Sequence, residues 1–259
     1  MNKFYWTGNA AKSKIIKLIL EEIQNLEEEV TIFDHGCGNA GKWKNFLTDH
    51  QNVKYIGSEP DAERIEKSKK ELQEVNNVEL YTANQLKDKD FSADFIISFS
   101  VFEHVYHKRD YLKTAKKFLA EDGKFFLNYD DGHFRNKVNL KNIKNVIREL
   151  KIMTHNFLSP ILAKMGYVSW YQERVNYNNT KKLLKEEGFQ ITNQFYSNLE
   201  NFKGLSKHIK DTDEQEFTKF WIETETKLNK SFKKRENYKE DINNLWRIMG
   251  SNTFVLKHQ

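Results

Sequence analysis

The 259-residue chain carries 42 basic and 37 acidic side chains, and its net charge of +5 permits an anionic partner without requiring one. Hydrophobic residues make up 38% of the chain, enough for a sizeable core, and the single cysteine, Cys37, excludes an internal disulfide and a metal site of several cysteines. Because no apolar run is long enough to span a membrane and lysines interrupt the N-terminal apolar residues, we expect a cytoplasmic protein with no signal segment and no membrane partner.

The first half of the chain alternates between helical and strand patterns. Apolar residues at helical spacing predict an amphipathic helix from about residue 9 to residue 28. Five short apolar runs follow, and each is typical of a buried strand. Helical patterns that begin near residues 40, 61 and 111 separate several of these runs. The predicted strands are 30–35, 53–58, 78–82, 95–99 and 124–129, with Gly123 in the turn before the last of them.

The strand-and-helix alternation breaks after the fifth strand. Residues 132–178 are predicted to be mostly helical, with an interruption at Pro160. The alternation returns with a helix at 180–187, which Gly188 ends, and a sixth strand at 189–196. The sixth strand therefore resumes the sheet after a helical insertion.

A second helical stretch at about 200–250 precedes a last strand at 252–256. We predict one domain, 1–259, with an α/β fold: a Rossmann-like, doubly wound sheet of seven strands, mostly parallel with an antiparallel last strand. Ligands of such sheets bind at the carboxyl ends of the strands, so both insertions, 132–178 and 200–250, are interpreted as helical caps over the pocket. The alternative is that these helices thicken the core or form a dimer interface. One apolar face of the second stretch is predicted to comprise Phe217, Phe220, Trp221 and Leu228.

A glycine-rich loop directly follows the first predicted strand. Residues 34–41 read Asp-His-Gly-Cys-Gly-Asn-Ala-Gly, and a helical pattern begins within them. Glycines such as Gly36 and Gly38 let the backbone turn sharply and approach a ligand closely. The helix that follows offers unpaired backbone amides to a polar or anionic group. The loop therefore predicts a ligand site between strand and helix.

A carboxylate, Glu59, lies at the end of the second predicted strand, which neighbours the first. At that position a carboxylate accepts hydrogen bonds from both hydroxyls of a ribose. The competing interpretation is that Glu59 caps the next helix, with Pro60 at the start of that helix. Paired with the glycine loop, the ribose interpretation is favoured, and it indicates a nucleoside cofactor.

The loop and the carboxylate together resemble the first two motifs of class I S-adenosylmethionine-dependent methyltransferases. In that family the first strand ends in Asp-x-Gly-x-Gly, as 30–38 does here, and the second motif is similar to 55–60. Further resemblance lies at 82–86, where the family contacts adenine, at 93–98 with 101–104, its fourth strand and exit, and at 121–123, the turn before the fifth strand. The resemblance implies S-adenosyl-L-methionine as the cofactor.

Three residues depart from the family pattern. Ala40 replaces a third glycine, Thr82 replaces an acidic residue that would hold the adenine amino group, and His35 stands where an aliphatic residue is expected. The spacing of Gly36, Gly38 and Gly41 also fits a nicotinamide-dependent oxidoreductase, which stays an alternative.

The sulfonium of this cofactor is attracted to aromatic faces, for which Tyr5, Trp6 and Phe99 are candidates. The complete set of candidate cofactor-binding residues is Trp6, Asp34, Gly36, Cys37, Gly38, Glu59, Pro60, Thr82, Ala83, Ser98 and Phe99.

Methyl transfer requires mainly that a nucleophile lies in line with the methyl–sulfur bond, and a hydroxyl acceptor also requires a base. His133, just beyond the fifth strand, is the preferred base, His104 after the fourth strand is the second candidate, and Asp131 completes the catalytic set. Asp130, Asp131 and His133 carry metal-binding atoms, but the fourth strand does not end in an acid, so no metal is expected.

The acceptor is predicted from what the chain lacks. No Pro-Pro motif of base-methylating enzymes follows the fourth strand, and acidic residues follow the basic run at 227–235, so a nucleic acid is not expected. Two caps favour a small polar acceptor, such as a hydroxyl of a sugar or sugar nucleotide. The alternatives are an RNA or protein methyltransferase, the nicotinamide enzyme, and a non-catalytic protein that binds the cofactor and a partner.

Overall fold

The computed structural model describes residues 3–24, 28–130, 143–210, 213–233 and 248–259. Its strands are β1 (Val30–His35), β2 (Val53–Glu59), β3 (Val78–Thr82), β4 (Ala93–Phe99), β5 (Leu119–Asp130), β6 (Phe189–Leu199) and β7 (Met249–His258). They form one seven-stranded sheet in the order β3-β2-β1-β4-β5-β7-β6. The strands β1 to β5 pair in parallel, and β7 runs antiparallel to both of its neighbours, β5 and β6. The predicted doubly wound sheet with an antiparallel last strand is confirmed.

Helices connect most of these strands. They are α1 (Ala10–Ile23), α2 (Lys44–Asp49), α3 (Ala62–Glu71), α4 (Ala83–Leu86), α5 (Lys108–Phe118), α6 (Ile143–Lys164), α7 (Tyr177–Glu186), α8 (Glu200–Leu205) and α9 (Glu214–Lys233). Helix α1 begins where the Asn9 side chain accepts a hydrogen bond from the Lys12 amide, and it ends at Ile23, short of the predicted residue 28. After α7, Gly188 takes a left-handed conformation, as its position at the predicted helix end requires.

The core lies on both faces of the sheet because successive strand residues point to opposite sides. Ile32 and Ile97 pack on the face that α1, α2 and α3 cover. Phe33 and Ile96, one position away on the same strands, pack on the face that α5 and α7 cover. The buried apolar runs predicted as strands are therefore buried on both sides, as in a three-layer α/β domain.

Three predicted details are wrong. Helix α6 continues through Pro160, because Ser159 and Gln172 exchange hydrogen bonds of 2.8 and 3.2 Å and fix that turn to the chain beyond the helix. Strand β5 begins at Leu119 rather than after Gly123, since an irregular pairing with β4 accommodates the early residues. Phe220 is 55% exposed although its neighbour Trp221 is fully buried, so the buried face of α9 is narrower than predicted.

Helix α9 packs beside α1 and β6. Glu225 on α9 accepts a hydrogen bond of 2.7 Å from the Leu199 amide, and the Asn229 side chain bonds both the amide and the carbonyl of Tyr196 at 2.8 Å. This part of the second insertion thickens one helical layer of the domain. The division of the chain into one domain with two caps stays a prediction.

The start of α9 also holds the N-terminal segment. Gln215 exchanges two hydrogen bonds with the backbone of Phe4, and the Thr7 hydroxyl donates to Glu214 at 2.6 Å. The segment before α1 is thereby fixed to the second insertion. Among the described residues, no helix combines the length and the apolar character needed to cross a membrane.

Candidate cofactor-binding site

The glycine loop turns tightly over the end of β2. The amides of Gly36 and Cys37 both donate to the Ser58 carbonyl at 2.9 Å. Gly36 has φ +91°, and a Cβ there would lie 2.6 Å from a methyl carbon of Val101, so only glycine fits. Gly38 has φ +57°, and a Cβ there would meet nothing within 4 Å. There is therefore no room for a side chain at Gly36, whereas the space beside Gly38 is open, so a ligand can approach the backbone there.

Glu59 extends from β2 to this loop. Its side chain is 12% exposed, and Oε2 accepts a hydrogen bond of 3.0 Å from the Gly38 amide. The next helix, α3, is capped by Asp61, whose carboxylate accepts from the amides of Glu63 and Arg64. Because Asp61 performs that task, the helix-capping interpretation of Glu59 is wrong, and its carboxylate lies beside the open loop, as ribose binding would require.

Asp34 lies beneath the loop and is 3% exposed. Its Oδ2 accepts hydrogen bonds from the Trp43 indole at 3.1 Å and the Tyr55 hydroxyl at 2.9 Å, whereas the buried Oδ1 has no partner. Burial raises the pKa of Asp34 to about 6. A buried carboxylate oxygen without a donor is costly, so Asp34 suits a ligand that brings a hydrogen-bond donor or a positive charge.

The unusual His35 has a structural role. Its ring stacks on Tyr111 with centroids 3.8 Å apart, and its nitrogens lie 3.2 Å from the Ser58 hydroxyl and 3.3 Å from the Tyr111 carbonyl. Burial lowers the pKa of His35 to about 4, so the ring is neutral at pH 7. The Tyr111 hydroxyl in turn donates to the His35 carbonyl and accepts a hydrogen bond from the Ser98 hydroxyl. His35 thus joins β1, β2 and α5 behind the loop, and Ser98 lies in the same buried network.

The remaining predicted cofactor residues are spread along the same edge of the sheet. Thr82 begins α4, where its hydroxyl and the Gln85 side chain form a reciprocal capping box. Ala83 and Pro60 are exposed beside it, and Phe99, half-buried, ends β4 on the other side of β1. Cys37 lies in the loop itself, and burial raises the pKa of its thiol.

Trp6 lies in an aromatic cluster rather than at an open surface. Its ring centroid is 4.6 Å from that of Trp43, and Tyr5 and Phe46 pack against it. Because the Trp43 indole donates a hydrogen bond to Asp34, Trp6 contacts the site only through Trp43. Its contact with the cofactor stays a prediction.

The exit of β4 faces the loop. Ser100 has φ +56°, which is uncommon outside glycine, and it turns the chain so that Val101 contacts Gly36. Glu103 follows in a single helical turn, Phe102–His104, and is fully buried. Its Oε1 accepts from the Asp130 amide at 3.1 Å, and its Oε2 has no partner. His104 beside it is exposed.

Burial raises the pKa of Glu103 to about 8, so this side chain is protonated at neutral pH. It connects the exits of β4 and β5, the two strands that flank the predicted acceptor side. The sequence analysis assigns Glu103 no role of its own, because the contact with Asp130 joins residues far apart in the chain. The remaining catalytic candidates, Asp131 and His133, lie outside the described residues. Within those ranges, no group of three His, Cys, Asp or Glu side chains is arranged to hold a metal ion.

Replacing Glu103 with Gln should flatten the dependence of stability on pH. Because the unfolded carboxyl titrates near 4.5 and the folded one near 8, its stabilising contribution is complete below pH 4.5 and is lost as pH rises through 8. The loss is on the order of a few kcal/mol. Melting temperatures between pH 5 and 8.5 should therefore fall less in Glu103→Gln than in the wild type. Glu66→Gln, on the exposed side of α3, is the control, and parallel curves for Glu103→Gln and the wild type would contradict the assignment.

The model of a methyltransferase domain family matches residues 8–194 of the chain. The match includes the glycine loop, Glu59 and the exits of β4 and β5. The chain therefore belongs to this family of methyltransferases, and it is an enzyme that uses S-adenosyl-L-methionine as its cofactor. No curated protein sequence matches the chain significantly.

Solved structures share the fold. The cyclopropane synthase MmaA2 from Mycobacterium tuberculosis is similar, with a TM-score of 0.53, 18% identity, and 95% of this chain and 83% of that chain covered. Phosphoethanolamine N-methyltransferase 2 from Haemonchus contortus, in complex with S-adenosyl-L-methionine, has a TM-score of 0.55 at 13% identity, with 95% and 53% covered. PKMT2 from Rickettsia typhi, in complex with AdoHcy, has a TM-score of 0.52 at 17% identity, with 89% and 49% covered. At these identities the likeness shows the fold alone.

Proposed function

We propose that the protein transfers the methyl group of S-adenosyl-L-methionine to a small polar acceptor, a hydroxyl of a sugar, sugar nucleotide or related metabolite. The observation that carries this proposal is that the second insertion and the N-terminal segment are held in place, with one contact to the carboxyl edge of the sheet. The N-terminal segment is fixed to α9 by Phe4 and Thr7, and Lys203 on α8 lies 3.8 Å from the Asp130 carboxylate at the end of β5. A helical cap over this edge, which stays a prediction, would suit an acceptor of limited size.

The residues of this site have separable tasks in the proposed reaction. The bound cofactor supplies an electrophilic methyl group. Glu59 binds the ribose, the backbone at Gly38 lies against the cofactor, and Phe99 presents an aromatic face toward the sulfonium. His133 removes the proton of the acceptor hydroxyl, with His104 as the second candidate.

Replacing His133 with Ala should lower turnover by at least about a hundredfold, because general-base catalysis contributes that much to proton removal. The dissociation constant of the cofactor should stay unchanged, since His133 acts on the acceptor. Steady-state kinetics and calorimetric titration of the same variant separate the two effects. His107→Ala, an exposed residue at the start of α5, is the control. Full turnover in His133→Ala would remove His133 from the mechanism.

An exposed apolar surface on α6 favours a second candidate acceptor, one that carries an apolar portion. Phe157 is 73% and Met165 is 69% exposed. A cavity of about 430 Å³ lies along the same helix, and Ile147 and three leucines contribute its apolar lining. Its lining includes no residue of the glycine loop and no carboxylate, so we place the cofactor at the loop and consider α6 only for an apolar portion of the acceptor.

Transfer of labelled methyl groups from S-adenosyl-L-methionine into a cell extract tests the proposal. The extract is separated into small polar molecules, lipids, RNA and protein, and Gly36→Asp is the control. Label in the small polar fraction that the control lacks is the expected result. Label in the lipid fraction would favour the second candidate, and label in RNA or protein would overturn the enclosed pocket. Cofactor binding without label in any fraction would favour the non-catalytic alternative.

A further inference from the structure

Helix α6 presents its side chains in the opposite way from an ordinary helix at a protein surface. Such a helix buries its apolar side chains and exposes its polar ones. In α6 the most deeply buried side chains are small, with Ser159 at 1% and Ala163 at 3% exposure. The Ser159 hydroxyl donates to the Gln172 carbonyl at 2.8 Å, so this small-residue side is the one that the protein holds. The apolar side of the helix is left exposed.

The exposed apolar residues of α6 form one stripe along the helix. Leu150, Met153, Phe157 and Ile161 follow one another at spacings of three or four residues, so they lie on the same side. Their exposure ranges from 44% to 73%, and Met165, one turn further on, is 69% exposed. Among the described residues, nine of the twelve exposed large apolar side chains lie between residues 147 and 168. Such a concentration indicates a contact surface rather than scattered exposure.

The segment that carries the α6 stripe is also basic. Residues 143–170 include four lysines and arginines and one glutamate, a net charge of +3, whereas the other 231 residues together carry +2. Two of these basic residues, Lys151 and Lys164, are exposed near the two ends of the stripe. Lysine side chains lay their methylene groups along an apolar surface and extend their ammonium groups beyond it. The surface therefore complements a partner that is apolar inside and negatively charged at its boundary.

A second copy of the chain complements this surface less well than a lipid bilayer does. Antiparallel packing centred near Phe157 would bring Lys151 and Lys164 together across the pair, and parallel packing would bring each lysine against itself. Like charges would meet in both arrangements. In a bilayer with anionic headgroups, the acyl region takes up the apolar side chains and the headgroups lie beside the lysines.

We propose that α6 is a docking helix for membranes, and that it lies along the surface of a bilayer that contains anionic phospholipids. The stripe enters the boundary between headgroups and acyl chains to a depth of about 5–10 Å, and Lys151 and Lys164 lie among the headgroups. The lack of a spanning run, on which the sequence expectation of no membrane partner rests, does not bear on a helix that lies along the surface. This docking goes beyond the proposed function, since it needs neither cofactor nor acceptor and holds whichever acceptor is methylated.

Sedimentation of the full chain with lipid vesicles, in the absence of cofactor and acceptor, tests the proposal. The protein should bind vesicles of phosphatidylglycerol mixed with phosphatidylcholine, and it should bind vesicles of phosphatidylcholine alone at least about tenfold more weakly. Phe157→Ser should weaken binding to the mixed vesicles at least about tenfold, because the bilayer loses an apolar side chain at unchanged charge. Lys164→Gln should weaken it about fivefold, the contribution of one basic residue beside an anionic surface.

Phe220 and Lys219 on α9 provide matched controls. Both are exposed, and they lie outside the α6 stripe. Phe220→Ser and Lys219→Gln should leave vesicle binding unchanged. The proposal is overturned if the protein binds neither kind of vesicle, binds both equally, or loses as much binding in the α9 variants as in the α6 variants. A dimer in sedimentation-velocity measurements that Phe157→Ser dissociates would overturn it in favour of a second copy on this surface.

Discussion

Gly36→Asp should abolish measurable cofactor binding and methyl transfer. A Cβ at this position lies 2.6 and 2.7 Å from the two methyl carbons of Val101, and the backbone has φ +91°, so any side chain forces the loop or the exit of β4 to move. Aspartate adds a negative charge beside the buried Asp34. We expect a loss of more than a hundredfold in affinity, the combined effect of strain of about 1–3 kcal/mol and repulsion. Calorimetric titration with S-adenosyl-L-methionine provides the measurement.

Substitutions with smaller side chains distinguish a steric clash with Val101 from a general loss of the folded structure. Gly36→Ala should weaken binding, and Gly36→Ala with Val101→Ala should recover part of it, because the two closest carbons are then removed. Gly38→Ala should leave the fold intact, since a Cβ there meets no protein atom within 4 Å, and any loss of binding should come from a direct clash with the cofactor. If Gly36→Asp binds the cofactor as the wild type does, the loop is not the cofactor site.

Glu59→Ala should weaken cofactor binding by about 1.5–3 kcal/mol, which corresponds to a ten- to hundredfold rise in the dissociation constant. The change removes the proposed acceptor of the ribose hydroxyls. It also removes the hydrogen bond that holds the Gly38 amide at 3.0 Å, so the loop loses its connection to β2 at this point. Calorimetry gives the affinity, and thermal unfolding shows whether the fold is retained.

Asp61→Ala is the control for Glu59→Ala. Asp61 lies two residues further along and caps α3, so its removal should cost about 1 kcal/mol of stability. Its carboxylate does not contact the loop amides, and cofactor affinity should stay within twofold of the wild type. Equal affinity losses in both variants would mean that Glu59 acts through the position of α3, and the ribose assignment would then fail.

The strands and the glycine loop were predictable because their signals are local. Strand β1 contains the apolar residues Val30, Ile32 and Phe33, and the turn that follows needs glycine for reasons that act within a few residues. Which of the two carboxylates, Glu59 or Asp61, caps α3 could not be predicted from neighbouring residues alone. Both residues precede the helix, and only the positions of their oxygens relative to the helix amides and to Gly38 decide between them.

Contacts between distant parts of the chain account for what sequence reasoning missed. His35 departs from the family pattern because its ring stacks on Tyr111, which lies 76 residues further along the chain. Lys12 has the pattern of a solvated lysine on an amphipathic helix, and the helix places it over Phe99. Proline disfavours a helix interior, so Pro160 predicts a break. Helix α6 nevertheless continues through it, and the Ser159 hydroxyl beside it donates a hydrogen bond to the Gln172 carbonyl.

The position of β7 between β5 and β6 has a consequence for how the chain acquires its structure during synthesis. Chains emerge from the ribosome N-terminus first, and β1 to β5 find their parallel neighbours among themselves. Strand β6 pairs with β7, and the first residue of β6, Phe189, lies opposite His258. A nascent chain therefore exposes one edge of β5 and the unpaired β6 until the last strand is made. Slowing translation within 200–250 should prolong that exposed state and increase capture by chaperones that bind apolar extended segments.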